Sequence, residues 1–203
     1  MPPSFALKPN TKAENRSSMR VSVTILQYEH GIIRQVMDVL AELAKREEPE
    51  KHRAQARGIV EFSNDFIDRF HHAKEERFLF PEGVKEKAIS DAELQRLLAD
   101  HRKAREMIAD LREQVDTKRK LGKAFATAAK EFSEHMAAHV RHEEDSVFPT
   151  FEEAIDMDRD MELAEEYERF AGEFGADFSK RAEDFSVKVQ DEVLGPGYFK
   201  GIG

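Results

Sequence analysis

Apolar side chains recur along this chain at steps of three, four and seven residues, the spacing of one buried face of an α-helix. From Val21 to about Arg46 the stripe runs Leu26, Ile33, Met37, Leu40, Ala44, with His30 inside it one turn after Leu26. Pro49 and the charged residues around it break the pattern. A second helix is predicted from about Glu50 to Phe78, ending before Pro81, with Val60, Ile67, His71 and Phe78 on its apolar face. A third opens near Ser90, where Ser90 or Asp91 caps and Glu93 completes a capping box. Its stripe is Leu94, Leu97, His101, Ala104, Ile108 and Leu111, and it ends in the charged stretch from Asp116 to Lys120. A fourth spans about Gly122 to Val147 with Phe125, Phe132, Met136, His139, Glu143 and Val147 on one side. A fifth stripe, from Ala164 through Tyr167, Ala171, Phe174, Phe178, Ala182 and Phe185 to Val189, reads as one long helix that Gly172 and Gly175 weaken or bring close to a neighbour. A stripe of that length must be buried, along the bundle or against a second copy of the chain.

The expected fold is therefore all-α: an antiparallel up-down four-helix bundle over residues 21–155, a flexible arm over 1–20, and an acidic amphipathic helix with a non-helical tail over 156–203. The bundle carries an internal repeat. HHAKEERFLFP, from His71 to Pro81, returns 68 residues later as HVRHEEDSVFP, from His139 to Pro149, with the His, both Glu, the Phe and the Pro unchanged. His30 and His71 stand 41 residues apart, and His101 and His139 stand 38 apart, as in a duplicated αα-hairpin. In each repeat a His precedes a Glu by four residues, so both point from one helical face about 6 Å apart. Two such helices facing each other supply imidazoles and carboxylates to one point. The repeated Phe-Pro is expected to cap the core and end the helix.

A single His on an apolar face is ordinarily a hydrogen-bonded core residue. Four helices each centring a His, two of them adding a Glu, are a different case, because burying those groups without a cation costs many kcal/mol in desolvation. His30, His71, Glu75, His101, His139 and Glu143 are thus the expected metal ligands. Periodicity places His72 with Asp68 and Glu61 on the solvent side, and the repeat matches it to Val140. His52 also reads as exposed, His142 as off the face, and His135, one turn from His139, as a residue behind the ligands or at the surface, with an additional ligand or gate as the alternative. Mixed imidazole and carboxylate donors suit iron or manganese better than copper or structural zinc.

Composition narrows the function. The chain of 203 residues has no Cys, which excludes disulfides, thiolate catalysis and iron–sulfur sites. Its longest apolar runs fall short of a membrane span, and its first twenty residues lack the apolar core of a signal peptide, so a cytoplasmic location is expected. The net charge of −9 lies entirely in residues 151–203, with 15 acidic against 6 basic side chains, and no basic face for nucleic acid stands out.

Glu29-His30, HHAKEE, Asp100-His101 and HVRHEE, in that order, resemble the hemerythrin-like or HHE cation-binding family over roughly residues 21–150. The resemblance implies a non-haem di-iron centre, oxo- or hydroxo-bridged, with His30 and His71 on one iron, His101 and His139 on the other, and Glu75 and Glu143 bridging. It departs at Arg105, where oxygen-carrying members place a further His one turn after the third-helix ligand, so that one iron would keep an open or water-filled position. The implied function is binding of O2 or a related small ligand, for sensing, storage or iron handling. The alternative is a di-iron redox enzyme acting on peroxide or nitric oxide, or an iron donor in damage repair. Tyr28, Glu29, Arg105 and His135 are the candidate acid, base or electron partners beside the open position. No nucleic-acid or membrane partner is expected; a homodimer through the C-terminal helix is possible.

Overall fold

The computed structural model describes residues 20–198, so the arm over 1–19 and the last residues of the tail lie outside the described part of the chain. The described residues are helical, without a strand. We number the helices α1 (Val21–Ala44), α2 (53–85), α3 (Asp91–Thr117), α4 (123–154), α5 (Met157–Gly172) and α6 (Phe178–Leu194). α1 packs on the long α-helical part of α4, α4 on α3, α3 on α2 and α2 on α1, which closes a ring of four. Ser90 caps α3 as expected, its Oγ accepting from the Glu93 amide at 3.1 Å.

Two of the four bundle helices are not uniformly α. α2 passes through π-helical turns at Ser63–His72 and Glu75–Leu79, and α4 through one at Glu143–Val147. Neither ends at its proline. Pro81 and Pro149 lie in the first turn of resumed α-helix, at Phe80–Lys85 and Phe148–Ala154, immediately after a π turn. A π turn already departs from the i to i−4 ladder, so a ring without an N–H is accommodated there instead of breaking the helix. The two phenylalanines do cap the core: Phe148 stacks on His30 with centroids 5.3 Å apart, and Phe80 lies 5.6 Å from His101.

The apolar core falls into two clusters with a polar layer between them. One holds Ile33, Phe70, Ala104 and Met136; the other holds Leu26, Leu79, Leu97 and Val147. Along each bundle helix the chain crosses from one cluster to the other through a His, or a His and a Glu. The duplication read from the sequence thus becomes one layer of buried donors between two hydrophobic ones.

The expected fifth helix is two helices. Gly175 takes φ +94°, in the left-handed region where a Cβ is disfavoured, and the chain turns between Gly172 and Phe178. The turn lets Phe174 and Phe178 both reach Phe70, at 5.2 and 4.9 Å between centroids. α6 buries Ala182, Val189 and Val193 and packs on α1 and α2, while Phe185 stacks on Phe62 at 5.5 Å. The apolar stripe is therefore buried along the chain's own bundle.

Candidate metal centre

Each of the six residues expected from the sequence reaches the polar layer. His30, His71, Glu75 and Glu143 form one group in which a donor atom from each lies within 4.8 Å of the others, and Glu75, His101, His139 and Glu143 form a second. The groups share both carboxylates. Glu75 stands 3.6 Å from His71 Nε2 and 3.5 Å from His101 Nε2; Glu143 stands 3.3 Å from both His30 Nε2 and His139 Nε2. Each carboxylate thus faces one imidazole on its own helix and one on a helix of the other hairpin.

The outer faces of three rings are held by carboxylates, of which the sequence reading singled out Glu29 as a partner of the centre but not Glu76 or Glu144. His30 Nδ1 is 3.1 Å from Glu144, His71 Nδ1 is 2.9 Å from Glu29, and His101 Nδ1 is 2.8 Å from Glu76. A carboxylate on Nδ1 selects the tautomer whose Nε2 carries a lone pair, as in metal-bound histidines generally. The signal was present: the repeat keeps both glutamates, one aimed inward and the next at a ring across the bundle. Arg105 closes the shell by donating to Glu76 at 2.6 Å and to Asp68 at 2.5 Å. It stands in the place of a possible ligand and braces two carboxylates instead.

His72 corrects the solvent-side expectation. It is fully buried and stacks on His101 at 3.8 Å between centroids, and it forms a third donor group with His101 and His139. The π-helical run Ser63–His72 is the physical reason. An i to i+5 ladder takes about one residue more per turn than the 3.6 of an α-helix, so a phase counted from Ile67 slips and residue 72 rotates inward. Its counterpart Val140 is buried as well, so the repeat already marked the position as internal. His135 is held elsewhere, its Nε2–H donating to the Asp100 carbonyl at 3.0 Å. His142 pairs with Glu93, and Tyr28 is 57% exposed, away from the layer.

The donors point inward with nothing protein-borne to satisfy them. The Nε2 atoms of all five inner histidines and all four oxygens of Glu75 and Glu143 are buried without a hydrogen-bond partner among the described residues. Burial holds the His71 and His72 pKa well below the ordinary imidazole value, and brings His139 down to about 4. Burial, then the charges of Glu143 and Glu29, push the Glu75 carboxyl well above the usual range. Without a cation the layer must keep His71, His72 and His139 neutral and favour a proton on Glu75. A bound cation removes both demands, so these residues fit a metal.

Sequence comparison agrees with the geometry. The hemerythrin HHE cation-binding domain profile matches residues 21–151, well over half of the chain. The chain belongs to the hemerythrin HHE family. That match ends before α5, so both C-terminal helices lie outside the matched residues. Curated proteins and solved structures returned no match. No described helix is long and apolar enough to cross a membrane.

Beside the His30/His71 group lies a buried ion pair. Lys74 is 2% exposed, donates to Glu29, and sits over the Phe70 ring at 3.7 Å. Burial lowers the Lys74 pKa and raises that of Glu29, each opposed by the charge of the other. Glu29, one of the partners expected from sequence, therefore links an ammonium to the Nδ1 of His71.

Proposed function

We propose that the chain is a non-haem di-iron protein that binds O2 or a related small ligand, for sensing, storage or iron handling. The observation that carries this reading is the sharing of Glu75 and Glu143 between two donor groups, since a carboxylate facing imidazoles of two groups is placed to bridge two cations. In this reading His30 and His71 hold one iron, and His101 and His139 hold the other, with His72 as a further donor. The division is unequal, which leaves ligand room on the His30/His71 side. Iron supplies small-ligand binding and a change of oxidation state. The chain orients the imidazoles through Glu144, Glu29 and Glu76, and the two apolar clusters exclude water.

The Lys74–Glu29–His71 chain favours a second reading, a redox enzyme acting on peroxide or nitric oxide, because it sets a buried proton donor beside a ligand histidine. Either role fits an iron-supplied, reducing compartment such as the cytoplasm.

Metal content and the visible spectrum of protein from iron-replete cells test the proposal. Two irons per chain and a near-ultraviolet charge-transfer band that changes on oxidation are expected. One zinc, or no metal, refutes it. Consumption of peroxide or nitric oxide over many cycles selects the enzyme, and one spectral shift per ligand selects the binder.

A further inference from the structure

The wall behind the His30/His71 group is completed from outside the family domain. Tyr167 lies on α5, beyond the matched residues, and is among the largest wholly buried side chains. α5 packs against the π turn Glu75–Leu79, whose first residue is the shared carboxylate. The Tyr167 ring lies 5.9 Å from that of Phe78, and the Lys74 ammonium stands 5.8 Å from its centroid. Its cluster also contains Leu26 and Phe148, the residues that flank and stack on His30.

In this setting the Tyr167 hydroxyl has no hydrogen-bond partner among the described residues. A buried phenol normally finds one, and phenylalanine would fill the same space without stranding a donor. The other polar groups of the wall are engaged: Asp160 accepts from Val21 and Ser22, Lys74 donates to Glu29, and Glu29 holds His71. Glu75, on the turn that α5 packs against, shares the phenol's condition with the other inward donors of the centre, both of its oxygens being unpartnered among the described residues. Burial, then the charges of Glu75 and Glu29, push the phenol pKa well above its ordinary value, which keeps the hydroxyl a donor.

We propose that Tyr167 is a ligand-positioning residue, its hydroxyl donating a hydrogen bond to the small ligand bound at the metal of His30 and His71, an assignment that rests on the di-iron reading above. It favours ligands whose outer atom accepts a hydrogen bond and gives the appended helices a part in ligand choice. Carbon monoxide, whose oxygen is a poor acceptor, gains little from it.

The test uses the full chain loaded with iron and azide as the probe, comparing wild type, Tyr167→Phe and, as a control on the exposed face of α1, Tyr28→Phe. Iron per chain and the thermal midpoint of the metal-free protein are measured first. Tyr167→Phe is expected to keep the wild-type iron content and a midpoint no lower than wild type, while its azide dissociation constant rises about five- to tenfold, the loss of one hydrogen bond. Tyr28→Phe is expected to match wild type throughout. Unchanged azide affinity at full iron content overturns the role of Tyr167 and leaves the di-iron reading standing. Loss of iron from Tyr167→Phe also overturns it, because the hydroxyl would then serve metal retention. A wild-type chain that takes up no iron overturns both.

Discussion

At the scale of single residues, the centre separates inward-facing donors from groups that fix their direction. His72 is the sharpest case, because helical periodicity turned it outward and the structure stacks it on His101. His72→Ala is expected to lower iron content from two toward one per chain, measured by mass spectrometry after desalting; full retention would return His72 to a packing role. Glu144 acts one step away, holding His30 Nδ1 while Arg34 donates to it at 2.8 Å. Glu144→Ala should weaken metal affinity about 10- to 100-fold in a chelator competition, the usual cost of losing an outer partner of a ligand histidine. The pH response of the metal-free chain also belongs here. An unfolded imidazole titrates near pH 6.5, whereas folded His71, His72 and His139 stay neutral well below it, His139 down to about 4. Between about pH 6.5 and 4 the unfolded state therefore takes up protons that the folded state refuses, and stability falls on acidification. His30, Glu75 and Glu29, all raised, act in the opposite sense; the three imidazoles, together with Glu143, which is held low, outnumber them. The urea midpoint of chelated protein should drop from pH 7 to 4, and a rise would contradict the neutral-histidine layer.

At the scale of elements, the appended helices are joined to the bundle by specific polar contacts as well as apolar packing. Asp160 on α5 is fully buried and serves as cap for α1: its carboxylate accepts from the Val21 amide at 2.8 Å, the Ser22 amide at 3.0 Å and the Ser22 hydroxyl at 2.6 Å. Arg20, the residue before the helix, offers no side-chain cap of its own. Asp160→Ala strands those donors and is expected to cost about 2 kcal/mol in urea unfolding. Gly83, in the α-turn after Pro81, lies directly against the Phe151 ring of α4. A Cβ there would lie 2.3 Å from the Phe151 ring, so Gly83→Ala forces a buried aromatic to move and should cost about 1–3 kcal/mol.

At the scale of the whole molecule, stability and metal binding are one equilibrium. The polar layer interrupts the hydrophobic core, and a cation bound only by the folded chain stabilises it in proportion to its occupancy. Chelation should therefore lower the thermal midpoint by many degrees, whereas the double variant Glu75→Ala/Glu143→Ala should no longer respond to iron at all. Retention of two metals by that variant would sink the bridging assignment.

The sequence alone determined the four bundle helices, the duplicated hairpin and six inward donors, because a 3.6-residue period and an i, i+4 pair are local properties of an α-helix. It marked the break in the C-terminal stripe through Gly172 and Gly175 without revealing that the two halves fold back onto Phe62, Phe66 and Phe70. Only the tertiary structure decided the rest. His72 turned inward because π turns changed the phase of the helix that carries it. Glu29, Glu76 and Glu144 became ring-orienting groups because each meets a histidine on another helix, 25 to 114 residues away along the chain. Tyr167 reached the wall of the centre by the same means. Periodicity reports which side of its own helix a residue occupies; what stands opposite depends on how the helices pack.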